Sequence, residues 1–139
     1  MIQRIQSIWL FLAAAFNAVT FKFPFYAGDW LKDDLPNTVV DLNAQTSIWN
    51  TILTVLAGLL AFVAIFLFKN RKLQLRLTYM TIVLTLGMLT LYLIQTGQFS
   101  NGTISLWCIF YFAILLCLIL AAKGINADEK LIKSMDRLR

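Results

Sequence analysis

Four stretches of the chain run without a charged side chain. Residues 5–21 read IQSIWLFLAAAFNAVTF between Arg4 and Lys22, and a second run, 42–68, is most apolar in ILTVLAGLLAFVAIFLF and stops at the cluster FKNRK. A third lies between Arg76 and Gly97 and a fourth between Thr103 and Lys123. Each is apolar all the way round instead of striped, which is the pattern of helices that face lipid or lie buried in a bundle. A helix rising 1.5 Å per residue needs about 20 residues to cross a hydrocarbon core about 30 Å thick. The predicted fold class is therefore all-α: a polytopic membrane protein with four transmembrane helices in an up-down bundle, over 5–22, 47–68, 76–96 and 103–123. Residues 1–139 then form a single membrane domain, with an outer loop at 23–46 and a short amphipathic tail helix at 125–139.

The first run also resembles an export signal, because Arg4 precedes an apolar stretch. Small residues at an A-x-A spacing occur only at Ala13 and Ala15, inside the apolar run, and FKFPFYAG after it is a poor cleavage site. A retained span is the expectation.

The tail carries helix punctuation. Gly124 stands where a helix would stop, and Asn126 followed by Glu129 has the arrangement of a capping box opening a new helix. Asp128 and Glu129 suit its first turn, Arg137 and Arg139 its last, and Glu129 and Lys133 stand four apart in the favourable order. Leu131, Ile132, Met135 and Leu138 gather on one face with Lys130, Lys133 and Arg137 opposite, so the tail is expected to lie on the inner leaflet or dock onto a partner.

Composition agrees with the pattern. Of 139 residues 60% are hydrophobic and 14% charged, against about half and a quarter in soluble domains. Four spans leave no room for a separate catalytic domain. The net charge of +5 is unevenly placed: ten of the twelve lysines and arginines fall at the N-terminus, the 69–76 link and the tail, and only Lys22 and Lys32 on the other side. Basic flanks stay cytoplasmic, so both termini are expected inside a bacterial inner membrane. The cations follow this topology, and no nucleic-acid partner is expected. Lys69, Arg71, Lys72 and Arg76 crowd a short link that should join the second and third spans as a tight antiparallel hairpin. Such cations attract anionic headgroups at about 1 kcal/mol each, so the link and the apolar tail face make a candidate lipid or partner surface. The outer loop, with Asp29, Asp33, Asp34 and Asp41 against two lysines, reads as an interfacial loop with a solvated acidic tip.

Reactive groups are scarce. The chain has no histidine, and none of the four runs contains Asp, Glu, Lys or Arg. Neither a cofactor nor a metal is expected, and no catalytic residue. Threonines within the runs can satisfy a carbonyl in their own helix, which leaves Asn17 as the side chain expected to seek a partner across helices. Cys108 and Cys117, nine residues apart, fall on opposite faces of one helix about 13 Å apart along its axis, too far for a disulfide.

Three segments can be read as words. The opening MIQRIQSIWLFLAA, the link FLFKNRKLQLRL and the closing KGINADEKLIKSMDRLR, in that order around four runs, resemble the small four-span membrane proteins of Bacteroidota grouped as domain of unknown function 4293. The resemblance covers essentially the whole length. It implies four spans, a basic tail and an inner-membrane location, and it implies no activity and no functional residue.

Two function classes follow. The first is a non-enzymatic accessory or stabilising subunit of a larger membrane complex, bound to other integral membrane proteins or to itself and resting on anionic headgroups. The alternative is a small oligomeric four-helix transporter or channel, against which stands the lack of an intramembrane carboxylate.

Overall fold

The computed structural model describes residues 2–30 and 39–137, with side chains for 5–29, 39–99 and 101–135. Leu31, Lys32, Asp33, Asp34, Pro36, Leu138 and Arg139, and the side chains of Arg4, Trp30 and Arg137, lie outside what it describes. Four helices dominate: α1 (Ile2–Val19), α2 (Ile48–Phe66), α3 (Arg71–Thr96) and α4 (Cys108–Arg137). Helix α1 packs on α2 and α4, and α3 on the same two, so chain neighbours are also spatial neighbours around a ring. Three helical segments, Ile48–Lys69, Arg71–Thr96 and Cys108–Met135, are long and apolar enough to cross a membrane, whereas the apolar helix Ile5–Val19 is shorter.

The helices are striped after all, but inside out. Buried positions recur at alternating spacings of four and three, the seam of a coiled coil. On α1 they are Gln6, Leu10, Ala13, Asn17 and, just past its end, Thr20; on α2 they are Asn50, Thr54, Ala57, Ala61 and Ala64. On α3 they are Gln74, Thr78, Thr81, Thr85, Met88 and Tyr92, and α4 continues the spacing through Tyr111, Ile114, Leu118, Ala121, Ile125 and Asp128. Leu59, Phe62, Val83, Leu86, Leu93 and Phe112 point outward. A hydropathy average hides this arrangement because alanine and threonine barely lower it.

Most polar groups on the seam are satisfied within the bundle, the exceptions among the described residues being the Asn17 amide nitrogen and the Tyr92 hydroxyl. Thr54, Thr78, Thr81 and Thr85 each donate to the carbonyl four residues back, at 2.7–2.9 Å, as the threonines were expected to do. Asn50 Nδ2 donates to Gln95 Oε1 at 2.7 Å, and Gln74 Nε2 to the Ala64 carbonyl at 2.9 Å. These two bonds clamp opposite ends of the α2–α3 hairpin.

Four boundaries differ from the sequence reading. The hairpin link is shorter, because a 3₁₀ turn (Leu67–Lys69) leads at once into α3 at Arg71; Arg71, Lys72 and Arg76 are helical residues. Helix α4 begins at Cys108, since Thr103 and Ile104 belong to a strand. The connections expected as outer loops carry strands. Strands β1 (Tyr26–Trp30), β2 (Val39–Leu42) and β3 (Phe99–Ile104) form an antiparallel sheet in the order β2-β1-β3. Gly28 pairs with Gly102, and a Cβ on Gly28 would lie 2.5 Å from the Asn101 carbonyl oxygen, so the backbones approach as only glycine permits. The sheet is tied to the bundle by Tyr111, whose hydroxyl donates to the Phe23 carbonyl at 3.0 Å, and by the stacking of Phe25 on Tyr92.

The fourth difference concerns the tail. Among the described residues there is no separate C-terminal helix, because α4 runs through Gly124 without a break for 30 residues, about 45 Å. Gly124 is a packing residue instead of a stop: a Cβ there would lie 2.8 Å from Gln6 Cγ on α1. Asn126 therefore caps nothing, and Glu129 is free to meet Lys133 at 2.9 Å.

This packing makes Gly124→Val a sharp probe. Overfilling a closed contact costs about 1–3 kcal/mol, so the variant should unfold at a lower temperature in mild detergent. Gly87→Ala, where nothing stands within 4 Å, should not. Equal unfolding midpoints for the two variants would mean that α1 and α4 are not in close contact at this level.

Candidate functional site

The end of the bundle opposite the sheet gathers most of the cations. Here α1 begins, the turn Leu67–Lys69 crosses to α3, and α4 extends past its uncharged segment. Asp128, only 5% exposed, is the anchor. Gln6 Nε2 donates to its Oδ2 at 2.6 Å, and Arg71 Nη1 stands 3.7 Å from the same oxygen. One carboxylate thus joins α1, α3 and α4. Gln6 can reach it because Gly124, one turn earlier on α4, leaves room for its side chain.

Beside this anchor opens a cleft of about 600 Å³, lined by Lys69, Asn70, Arg71, Lys72, Leu73, Arg76, Glu129, Ile132 and Lys133. Five cations face one carboxylate. Lys133, hydrogen-bonded to Glu129, holds that carboxyl below the usual carboxylate range, with Lys72 adding to the effect. Among the described residues, no ion pair engages Lys69, Lys72 or Arg76. No acidic residue lies in the first turn of α3, and its N-cap residue Asn70 makes no side-chain capping bond. Positive potential therefore accumulates at the cleft.

The candidate residues fall into two groups. Lys69, Arg71, Lys72 and Arg76 line the cleft together with Ile132. Leu131 and Met135, 54% and 67% exposed, stand beyond it on α4, and Leu138 lies outside the described residues. Asn17 is buried as its position implied, but its Nδ2 makes no hydrogen bond, and its Oδ1 would lie 2.8 Å from a Cβ on Gly58 of α2. The polar bridges between helices among the described residues instead include Gln6–Asp128, Arg71–Asp128, Asn50–Gln95, Gln74 to Ala64 and Thr54 to Met88. Asp128 escaped the sequence reading because the capping pattern around it assigned it to solvent. The three-residue step from Ile125 to Asp128 was the available signal, since it continues the buried seam.

The sheet end holds a second, apolar recess of about 360 Å³ between Phe25, Tyr26, Leu93, Ile104, Cys108 and Phe112. Cys117 is buried and Cys108 partly so, and both are free thiols. Among the described residues, no three His, Cys, Asp or Glu side chains are grouped so that they could hold a metal ion. The arrangement offers binding by charge at one end and close packing at the other.

Neither a curated protein nor a solved structure matches the chain. The family model described as Domain of unknown function (DUF4293) matches residues 2–138, nearly the full length, and the protein belongs to that family.

Proposed function

We propose that this is a four-span inner-membrane protein that acts by binding, as an accessory or stabilising subunit of a larger membrane assembly. The observation that carries the reading is the continuity of α4. A rigid helix about 45 Å long outreaches a hydrocarbon core about 30 Å thick, and beyond the exposed Lys123 it still presents Leu131, Ile132 and Met135. A helix locked to α1 and α3 through Asp128 projects from the bilayer instead of folding onto it, which favours protein docking over a surface-lying tail. The basic end, with both termini, faces the cytoplasm on this reading, in line with the positive-inside bias; the sheet caps the opposite end.

Electrophoresis of native membranes solubilised in mild detergent tests the assembly. The protein should migrate far above its 15.8 kDa chain mass. The double variant Leu131→Glu, Met135→Glu should collapse it to a small species at unchanged abundance, because both side chains are exposed. A wild-type protein that runs small, with no reproducible companion, would sink the subunit reading. Orientation is tested separately by a reporter inserted at Ser100, which should behave as periplasmic; cytoplasmic behaviour would invert the topology.

A second reading, a small oligomeric transporter or channel, is favoured by the polar seam through the bundle and by the unpartnered amide nitrogen of Asn17. Against it, the seam threonines spend their hydroxyls on their own helices. Flux across vesicles containing the purified protein should match empty vesicles; solute movement that Asn17→Ala abolishes would reverse the order of the two readings.

A further inference from the structure

We propose that the cleft at the basic end is a binding site for a phosphate-bearing head group carrying at least two negative charges. The inference concerns a ligand and does not depend on the subunit reading.

Three observations converge. The first is uncompensated charge. Lys69, Lys72 and Arg76 line one recess without an ion pair among the described residues, whereas Lys133 in the same wall is already matched by Glu129. Solvated cations on an open surface simply point apart, but these converge on a concavity of about 600 Å³, within the range of pockets that hold small ligands. A phosphate group bearing two charges, or a pair of linked phosphates, matches three such cations where a single carboxylate would not.

The second observation is rigidity. Arg71, half-buried on the cleft edge, is held by Asp128, which is itself fixed by Gln6 at 2.6 Å. The wall therefore comes from α3, the preceding turn and α4, tied together behind the cleft by a buried carboxylate. A ligand meets cations whose backbone positions are already set, so less order is lost on binding.

The third is the apolar part of the lining. Leu73 and Ile132 are both exposed within the cleft wall. Leu73 opens the lipid-facing side of α3, which continues outward through Met80 and Val83. A phosphate held among the lysines would place any attached acyl chains along this face. Basic recesses beside membrane helices are the usual setting for doubly charged lipid head groups. A soluble phosphate compound shares the charge but would leave the apolar wall unused.

The test uses the full-length protein in nonionic detergent, titrated with cardiolipin, with phosphatidylcholine and with sodium pyrophosphate, and followed by native mass spectrometry and thermal unfolding. Saturable binding of cardiolipin, with phosphatidylcholine not binding, supports the site and assigns it to lipid. Saturable pyrophosphate binding that competes with cardiolipin supports the site and assigns it to phosphate itself. Lys69→Gln combined with Lys72→Gln should weaken binding roughly thirtyfold, which is about 2 kcal/mol at 1.4 kcal/mol per tenfold. Lys130→Gln, which changes an exposed cation outside the cleft, should leave it unchanged. Both lysines of the double variant are exposed and unpaired, so its circular dichroism and elution should match wild type. Binding that never saturates, or that falls equally in the Lys130 variant, overturns the proposal.

Discussion

In hydrocarbon a leucine gains nothing by turning from a lipid tail to another leucine, so helices associate through close packing and internal polar bonds. The bundle follows from that single constraint. Its inward seams carry Gln6, Asn17, Thr54, Gln74, Thr78, Thr81, Thr85 and Asp128 beside Leu10, Ile114 and Leu118, while Leu59, Phe62, Val83, Leu86, Leu93 and Phe112 face out. Each threonine returns its hydroxyl to its own helix and so keeps a narrow profile, and Ala57, Ala61 and Ala64 let α2 approach its neighbours closely. Where an amide crosses between helices, as in Asn50–Gln95, it fixes which turn meets which.

The two ends complete the bundle by opposite means. At the sheet end the backbones of two connections pair as three strands, and Phe25, Tyr92 and Tyr111 come into mutual ring contact at 5.0–5.3 Å. That end is closed by packing. At the basic end the chain turns between α2 and α3 in only a few residues, and Arg71, Lys72 and Arg76 are held in the first turns of a helix. Crowding cations without enough anions is unfavourable by itself, and the partial answers present are Asp128 for Arg71 and Glu129 for Lys133.

How much of this was legible in the sequence depended on range. The long uncharged runs mark α2, α3 and α4 because length and hydropathy are local properties, and the cations of the cleft were recognisable as a group because they crowd one link. The sheet was not legible. Segments such as YAGDW and FSNGTI lack strand character on their own, and they pair only because the bundle brings the first and third connections to the same end. Gly124 misled for a physical reason: glycine is common both after a helix and where two helices touch, and only the presence of Gln6 on α1 decides between these uses. The apparent cap at Asn126 and Glu129 shows the same ambiguity, since the same residues serve equally well inside a continuing helix.

The consequence of that continuity is mechanical. Had α4 stopped at Gly124, the tail could have swung about a flexible joint, and Asp128 would have been one more solvated carboxylate. As one helix, α4 carries Asp128 to a fixed depth where Gln6 and Arg71 meet it. A charge-assisted bond of 2.6 Å contributes about 1.5–3 kcal/mol, and stripping a buried carboxylate of its partners costs more than the bond returns. The residue is therefore held from both sides, and so is everything rigidly attached to it. Arg71 keeps its place on the rim of the cleft, and Leu131 and Met135 keep their direction beyond it. Charge at the cleft and apolar surface on the projecting helix are thus parts of one rigid body, held together at a single carboxylate.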